Sequence, residues 1–177
     1  PADTVSTPDV LELSLDRPDY KSGDTARLRI VPRYAGTALV SVMSNRLIAM
    51  KAVAVEKVEN LIELPVTDDW GAGAYVTASG IRPVDVAAGQ NPARSMGLSY
   101  AKIDPGAKQL GVTFDAPEKS GPRGPLDAAV KVEGVAEGEQ AYLTVAAVDV
   151  GILNLTGFKS PDPSAHYFAQ RRLGMDI

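Results

Sequence analysis

The chain has 177 residues, of which 45% are hydrophobic and 23% charged, and its formal net charge is −4. This composition is typical of a folded globular protein, and the mixed charges exclude the clustered basic surface that nucleic-acid binding needs. The absence of cysteine excludes a disulfide framework, thiol catalysis and a cysteine zinc site. No apolar run approaches the roughly 20 residues that span a bilayer. Because the first residue is Pro1 rather than methionine, we expect a piece of a longer protein.

The first hundred residues predict a β-sandwich domain. Alternating apolar positions, as at Leu11, Leu13 and Leu15, place one face of a strand on a core and the other in water. The predicted strands are 10–16, 25–33, 37–44, 46–56, 60–66, 73–81 and 95–103. The Asp68-Asp69-Trp70-Gly71 sequence between two of them predicts a turn. We expect Trp70 to cap the core at its rim, with a binding role as the alternative.

A second, shorter copy of the same pattern follows an expected linker at Asp104-Pro105-Gly106. Both copies have a strand ending in Asp-x-Pro, at Asp16-Arg17-Pro18 and Asp115-Ala116-Pro117, and both reach an apolar strand, Ala38–Val42 or Ala141–Val145. The strands predicted in the second copy are 109–115, 126–133, 140–148 and 152–156. The sequence therefore predicts an all-β fold of tandem antiparallel β-sandwich domains. The first covers residues 1–104, and residues 105–177 form an incomplete second one, since four strands leave an inner face exposed.

Two local signals mark the end of the chain. Asp149-Val150-Gly151 interrupts an apolar run, so Gly151 predicts a bulge and Asp149 is expected to hold it by accepting a hydrogen bond from a backbone N–H. Further on, Asp162 and Pro163 have the residue types of a helix cap and first helical position. We expect a helix of about two turns there, with Tyr167, Phe168 and Leu173 on its apolar face, docking on the second domain.

The Arg171-Arg172 pair is expected at the C-terminus of that helix, where the helix dipole favours cations. The alternative is a cleavage point for a trypsin-like protease, which requires an extended and mobile segment. The only histidine, His166, is expected to be a surface or helix-packing residue, because no nucleophile and orienting group stand at recognisable spacing. The sequence predicts no catalytic, cofactor-binding or metal-binding residue and no cofactor.

The last fifth of the chain resembles bacterial members of the α2-macroglobulin family. The resemblance rests on the run AVDVGILNLT, the PDP that follows it, the YF pair and the closing RRLG, in this order. The motif positions are Asp149, Gly151, Asn154, Pro161 and Pro163. The resemblance implies that both domains are macroglobulin-type sandwiches and that the chain is not an enzyme.

The resemblance also implies a function. Family members are broad-spectrum protease inhibitors that trap proteases after cleavage of an exposed bait region, and in the family the bait interrupts a sandwich domain. We therefore expect the bait to begin after Thr156, with this chain as adjoining scaffold and Arg171 and Arg172 as bait-adjacent residues. The reactive thioester of many members needs a cysteine, so this chain cannot hold it.

The implied partners are proteases, bound through the full-length protein, and other macroglobulin domains of the same chain. Nucleic acid is not among them, and membrane contact would come only through a lipid anchor outside this fragment. The implied location is the periplasm, with an inner-membrane lipoprotein as one form of it. The alternative function is that of tandem Ig-like structural or adhesion modules in a cell-envelope protein, because fold does not fix function.

Overall fold

The computed structural model describes residues 9–89, 91–121 and 123–175. The fold is mostly β, with several sheets and two short α-helices near the C-terminus. The chain divides into two compact units, one formed by residues 9–104 together with 167–175, and the other by residues 105–166. Within the described ranges, no helix is long and apolar enough to cross a membrane.

The first unit contains eight strands in two sheets. The strands are β1 (Glu12–Leu15), β2 (Asp19–Tyr20), β3 (Thr25–Val31), β4 (Gly36–Met43), β5 (Leu47–Val55), β6 (Asn60–Pro65), β7 (Gly73–Arg82) and β8 (Ala93–Ile103). One sheet has the order β1-β3-β6 and the other the order β2-β8-β7-β4-β5. The seven strands predicted here are confirmed, with ends that differ by at most two residues. The two-residue strand β2, which pairs in parallel with β8, was not predicted.

Residues from both sheets form one hydrophobic core. Leu28 and Ile30 of β3 are fully buried, and so are Val42 of β4 and Val76 of β7. Each such side chain contributes roughly 1.5–3 kcal/mol when removed from water. Trp70 belongs to the same core and lies in a one-turn 3-10 helix, Asp68–Trp70. The expectation that Trp70 caps the core from a turn is confirmed.

The second unit contains one β-hairpin and no buried residue among those that the structure describes. Its strands are β9 (Gly111–Asp115) and β10 (Ala129–Glu133), which pair antiparallel with Val112 opposite Val132. These strands confirm the predictions for 109–115 and 126–133, with shorter bounds. A two-stranded hairpin has too little surface to build a core by itself.

The prediction of a strand over 140–148 is wrong. These residues have no regular structure, and Tyr142 and Val145 are 88% and 63% exposed. A strand is stabilised by hydrogen bonds to a neighbouring strand, and among the described residues β9 and β10 pair only with each other. The apolar run therefore has the composition of a strand without the partner that a strand needs.

The prediction of a strand over 152–156 is also wrong, because these residues lie in helix α1 (Val150–Thr156). Asp149 is the N-cap: its Oδ1 accepts hydrogen bonds from the backbone N–H groups of Gly151, at 2.8 Å, and Ile152, at 3.3 Å. Gly157 ends the helix in the left-handed conformation, with φ 60° and ψ 25°, which glycine adopts without strain. The expected hydrogen bond of Asp149 is confirmed, whereas the bulge expected at Gly151 is the first turn of a helix.

The second helix, α2 (Pro163–Tyr167), begins where predicted. Asp162 Oδ1 accepts a hydrogen bond of 2.8 Å from the backbone N–H of Ala165, and Pro163 is the first helical residue. The helix ends after five residues instead of the expected two turns. The residues that follow it group with the first unit, and not with the second as expected.

Candidate functional site: a basic segment held on the first unit

Residues 168–175, which we name the tail segment, follow α2 without forming a helix or strand. Arg171 and Arg172 lie in the middle of the tail segment and are exposed, whereas Leu173 is half-buried. The expectation that the arginine pair ends a helix is wrong, because α2 stops at Tyr167. The pair instead lies on irregular backbone that belongs to no helix or strand.

The first anchor of the tail segment is the hydroxyl of Tyr75, near the start of β7. This hydroxyl donates a hydrogen bond of 2.6 Å to the backbone carbonyl oxygen of Arg171. It also accepts a hydrogen bond of 3.1 Å from Nε2 of Gln170. Tyr75 thus uses its hydroxyl as both donor and acceptor toward two consecutive residues of the tail segment.

The sheet holds the Tyr75 ring in place. Tyr75 lies opposite Met43 of β4 and Tyr100 of β8 in the sheet register. The rings of Tyr75 and Tyr100 have centroids 5.0 Å apart and planes inclined by 58°, a favourable tilted arrangement of aromatic rings. Burial raises the pKa of Tyr100, and the neighbouring Tyr75 adds to this increase. Tyr75 is therefore a supported anchor point and not a freely rotating surface side chain.

The second anchor lies in the turn between β4 and β5. The backbone N–H of Gly174 donates a hydrogen bond of 3.2 Å to the carbonyl oxygen of Ser44. A Cβ atom at residue 174 would lie 3.3 Å from Cα of Asn45, so the lack of a side chain at Gly174 lets the two backbones approach. This close contact explains why a glycine stands at the end of the RRLG run.

The two anchors enclose the arginine pair on a short stretch of chain. Arg171 is bound through its carbonyl oxygen and Gly174 through its N–H, while both guanidinium groups remain in solvent. In the part of the chain that the structure describes, neither guanidinium forms an ion pair. Chemically, the segment offers two free cationic side chains to a partner while its backbone is held.

The family-motif residues lie elsewhere. Asp149 caps α1, Gly151 and the exposed Asn154 lie within α1, Pro161 precedes α2, and Pro163 begins it. Four of these five positions lie at the beginnings of two short helices in the second unit and Asn154 lies within the first of them, so they are not brought together into one site. His166 is an exposed residue of α2. Over the described ranges, no group of three or more His, Cys, Asp or Glu residues is placed to hold a metal ion.

Sequence reasoning missed Tyr75 as the partner of Arg171, and it missed Ser44 as the partner of Gly174. The contact of Tyr75 with Arg171 joins residues 96 positions apart, and strand alternation says only which face of the sheet Tyr75 occupies. A signal was present in the two tyrosines themselves. Tyr75 and Tyr100 fall on the same face of neighbouring predicted strands, where two large aromatic side chains are costly unless something covers them.

The fold and the tail segment define a β-rich module that displays a basic peptide segment on its surface. A family model described as the Alpha-2-macroglobulin bait region domain matches residues 11–155. The chain belongs to this family. Members of the α2-macroglobulin family are protease inhibitors and not enzymes.

Individual relatives lead to the same family. The chain is 38% identical over 170 residues to an α2-macroglobulin of Xylella fastidiosa, a match that covers 96% of this chain and 10% of the relative. It is 30% identical over 180 residues to the α2-macroglobulin of Escherichia coli K12, again with 96% of this chain and 10% of the relative covered. The chain thus spans about a tenth of the length of the curated relatives it matches.

Among solved structures, the chain is similar to trypsin-activated α2-macroglobulin from Escherichia coli. The TM-score is 0.63 at 27% sequence identity, and the match covers 94% of this chain and 11% of that one. The match to the bait region domain falls on residues 11–155 of this chain, whereas the sequence predicts scaffold that adjoins the bait. The match identifies the domain and leaves the cleaved peptide bond to be located.

Proposed function

We propose that this chain is part of a bacterial protease trap and carries the approach to the segment that proteases cut. The observation that carries the proposal is the match of residues 11–155 to the bait region domain. In the proposed mechanism a protease cleaves an exposed stretch of backbone, the sandwich domains rearrange as rigid bodies, and the protease is enclosed. Cleavage of one bond is then the local event that releases a larger change.

The proposed cleavable stretch begins after Thr156 and includes the tail segment. Gly157 ends α1, and beyond it only the five residues of α2 are regular in the described chain. Arg171 and Arg172 are exposed there, and arginine is the residue type after which trypsin-like proteases cut. A similar solved protein is described as trypsin-activated, which supports a trypsin-like protease as one partner.

The proposed domain organisation is two macroglobulin-type sandwiches, at residues 1–104 and 105–177, of which the second is completed by strands outside this chain. Support comes from the exposed apolar side chains in the second unit. Tyr142, Val145 and Leu155 are 88%, 63% and 85% exposed. A folded domain rarely leaves so many large apolar side chains in water unless another surface covers them. In this proposal, residues 140–148 become a strand when a partner strand is present.

The remaining partners and the location are proposed from the family. The partners are proteases of several classes and other macroglobulin domains of the same protein. The proposed location is the periplasm, with a lipid anchor outside this chain providing any attachment to the inner membrane. Fractionation of cells into periplasm, cytoplasm and membrane, followed by immunoblotting, tests the location. Recovery in the cytoplasm would contradict it.

The trap is tested with the complete gene product that contains this chain. Trypsin and a metalloprotease are each mixed with it at equimolar ratio, and their activity is measured on a large protein and on a small peptide. We expect both proteases to lose activity on the large substrate and to keep it on the small one. Mass spectrometry of the earliest products is expected to place the first cuts after residue 156.

The matched control replaces both basic side chains, as Arg171→Gln together with Arg172→Gln. The double variant is expected to lose the tryptic cut in the tail segment. It should still trap the metalloprotease, which does not require arginine. Full activity of both proteases on the large substrate, in the presence of the unaltered gene product, would show that the protein is not a trap.

A further inference from the structure

The Tyr75 hydroxyl binds the one carbonyl group that hydrolysis of the Arg171–Arg172 bond must attack. Cleavage of that bond joins a water oxygen to the carbonyl carbon of Arg171 and breaks the bond to the nitrogen of Arg172. The nitrogen takes up a proton and becomes a new amino terminus, while Arg171 becomes a new carboxyl terminus. The carbonyl oxygen involved is the atom that lies 2.6 Å from the Tyr75 hydroxyl oxygen.

We propose that Tyr75 gates proteolysis of the tail segment by holding the Arg171 carbonyl against the sheet. The proposal deepens the proposed function, since it rests on the arginine pair being a protease target. In the docked state the arginine side chains attract a trypsin-like protease, but the backbone is unavailable. Cleavage then requires the tail segment to leave Tyr75.

The chemistry of serine proteases explains why docking and cleavage exclude each other. The enzyme must place the scissile carbonyl oxygen about 2.7–3.1 Å from the backbone donors of its oxyanion hole. In this structure the Arg171 oxygen faces the Tyr75 hydroxyl, and the sheet carrying Tyr75 occupies the space on that side. The enzyme also needs the flanking residues in extended form within its cleft, whereas Gly174 is held at the β4–β5 turn.

The two candidate bonds are protected to different degrees. The Arg171 carbonyl is held directly by Tyr75, whereas Arg172 lies between this anchor and the one at Gly174, and its own carbonyl accepts no hydrogen bond from the described residues. Brief local opening near Arg172 therefore exposes the Arg172–Leu173 bond more often than the Arg171–Arg172 bond. We expect Arg172–Leu173 to be the earlier tryptic cut in the unaltered chain.

The effect of Tyr75 on the rate of proteolysis can be measured. When opening and closing are faster than cleavage, the cleavage rate follows the equilibrium population of the open state. Replacing Tyr75 with Phe removes both hydrogen bonds to the tail segment and keeps the ring. Loss of two neutral hydrogen bonds should raise the open population, and with it the rate at Arg171–Arg172, by roughly 5- to 30-fold.

The experiment is limited proteolysis of the full 177-residue chain with dilute trypsin, with products identified by mass spectrometry. The rates at Arg171–Arg172 and Arg172–Leu173 are measured in the unaltered chain and in Tyr75→Phe. The matched control is Tyr100→Phe, which removes a hydroxyl from the ring packed against Tyr75. The control is expected to stay within about twofold of the unaltered chain, because the Tyr100 hydroxyl forms no hydrogen bond with the described residues of the tail segment.

Two further measurements keep the outcome decisive. Gln170→Ala removes the bond from Nε2 to Tyr75 and keeps the bond from Tyr75 to the Arg171 carbonyl, so it should raise the rate by roughly 2- to 10-fold. Amide hydrogen exchange at Gly174 should also accelerate in Tyr75→Phe if both anchors open together. Unchanged cleavage in both Tyr75→Phe and Gln170→Ala would overturn the gate, as would complete resistance of the tail segment in every variant.

The gating by Tyr75 and the protease trap can be refuted independently of each other. Faster cleavage of Tyr75→Phe with no trapping by the complete gene product would leave the gate standing and refute the protease trap. Trapping of proteases without any cut at the arginine pair would refute the gate and leave the trap standing. The two assays therefore assign a negative result to one proposal or the other.

Discussion

The hydroxyl of Tyr20 donates a hydrogen bond of 2.7 Å to Oδ1 of Asp16, and the same carboxylate oxygen accepts one of 2.9 Å from the backbone N–H of Arg27. The Tyr20 oxygen in turn accepts a bond of 3.1 Å from the backbone N–H of Arg17. Tyr20 is only 1% exposed. The hydrogen bonds of Tyr20 and Asp16 thus attach the Asp16-Arg17-Pro18 turn to Arg27 of β3 in the first unit.

Substitution of Tyr20 by Phe should destabilise the first unit by about 1–3 kcal/mol, because Asp16 loses one of its two donors and the N–H of Arg17 loses its acceptor, while the ring stays buried. Urea unfolding monitored by the fluorescence of Trp70 measures the change. Tyr142→Phe is the control, since Tyr142 is 88% exposed and surface changes are usually within about 0.5 kcal/mol. Equal midpoints for the two variants would show that the turn adds nothing to stability.

Stability should depend on pH through the same pair. The hydrogen bond from Tyr20 lowers the pKa of Asp16 below its ordinary 3.8, against the opposing effect of burial. Burial and the bond to Asp16 raise the pKa of Tyr20 from 10.0 to about 12. The stabilisation from Asp16 is therefore present above pH 4 or so and lost as the pH falls through its folded-state pKa.

At alkaline pH the stability changes in the opposite direction, because it falls as the pH rises. The folded state holds the Tyr20 proton more tightly, so its stabilisation is complete below pH 10 and lost as the pH rises through about 12. Urea midpoints measured from pH 3 to pH 12 should show both declines. In Tyr20→Phe the alkaline decline should shrink, and an unchanged alkaline limb in that variant would refute the assignment to Tyr20.

Helix α1 should depend on its cap. Asp149→Ala removes the acceptor for the N–H groups of Gly151 and Ile152 and should cost the helix about 1 kcal/mol. Carbon chemical shifts of residues 150–156 report the helical population. Glu139→Ala, which removes an exposed acid outside any helix, is the matched control. Identical shifts in the two variants would contradict the cap.

The apolar run 140–148 should change state when a partner strand is available. In this chain the run is exposed and irregular, so its amides are expected to exchange rapidly. In the complete gene product the same amides should be protected, because a strand pairs its N–H groups. Hydrogen exchange with mass spectrometry compares the two samples, and β3 serves as an internal reference that is protected in both. Rapid exchange of the run in both samples would refute the proposed second sandwich.

The first unit was predictable because its strands carry their own core. The alternation of Ala26, Leu28 and Ile30 with charged residues fixes which face of β3 is buried, and all three are fully buried. A one-residue shift in pairing would place the charged side chains inside. The alternation of apolar residues therefore agrees with the observed burial in the first unit. The position of Trp70 at the core could also be predicted, from the turn that contains it.

The second unit was predicted less well because its pattern and its packing disagree. Residues 140–148 have β-forming side chains but no neighbour among the described strands, so the pattern alone could not decide their structure. For residues 150–156 the capping residues at both ends decide for a helix, although the apolar run suggests a strand. Asp149 and Gly157 have the residue types of an N-cap and a C-cap at the two ends of a seven-residue helix, so the two positions together indicate a helix between them.

The attachment of the tail segment gives residues 105–166 two tethers to one body. The chain leaves the first unit at Asp104, whose N–H donates to the carbonyl oxygen of Tyr20 at 2.8 Å, and it returns at the Tyr75 anchor. In topological terms the stretch between is a closed loop, whose ends are held together at an entropic cost that grows with the logarithm of its length. Hydrolysis after Arg171 or Arg172 separates this loop from the Gly174 anchor, so that only the hydrogen bonds to Tyr75 hold its returning end, and because the peptide bond does not re-form in water, the loss of the second anchor is permanent.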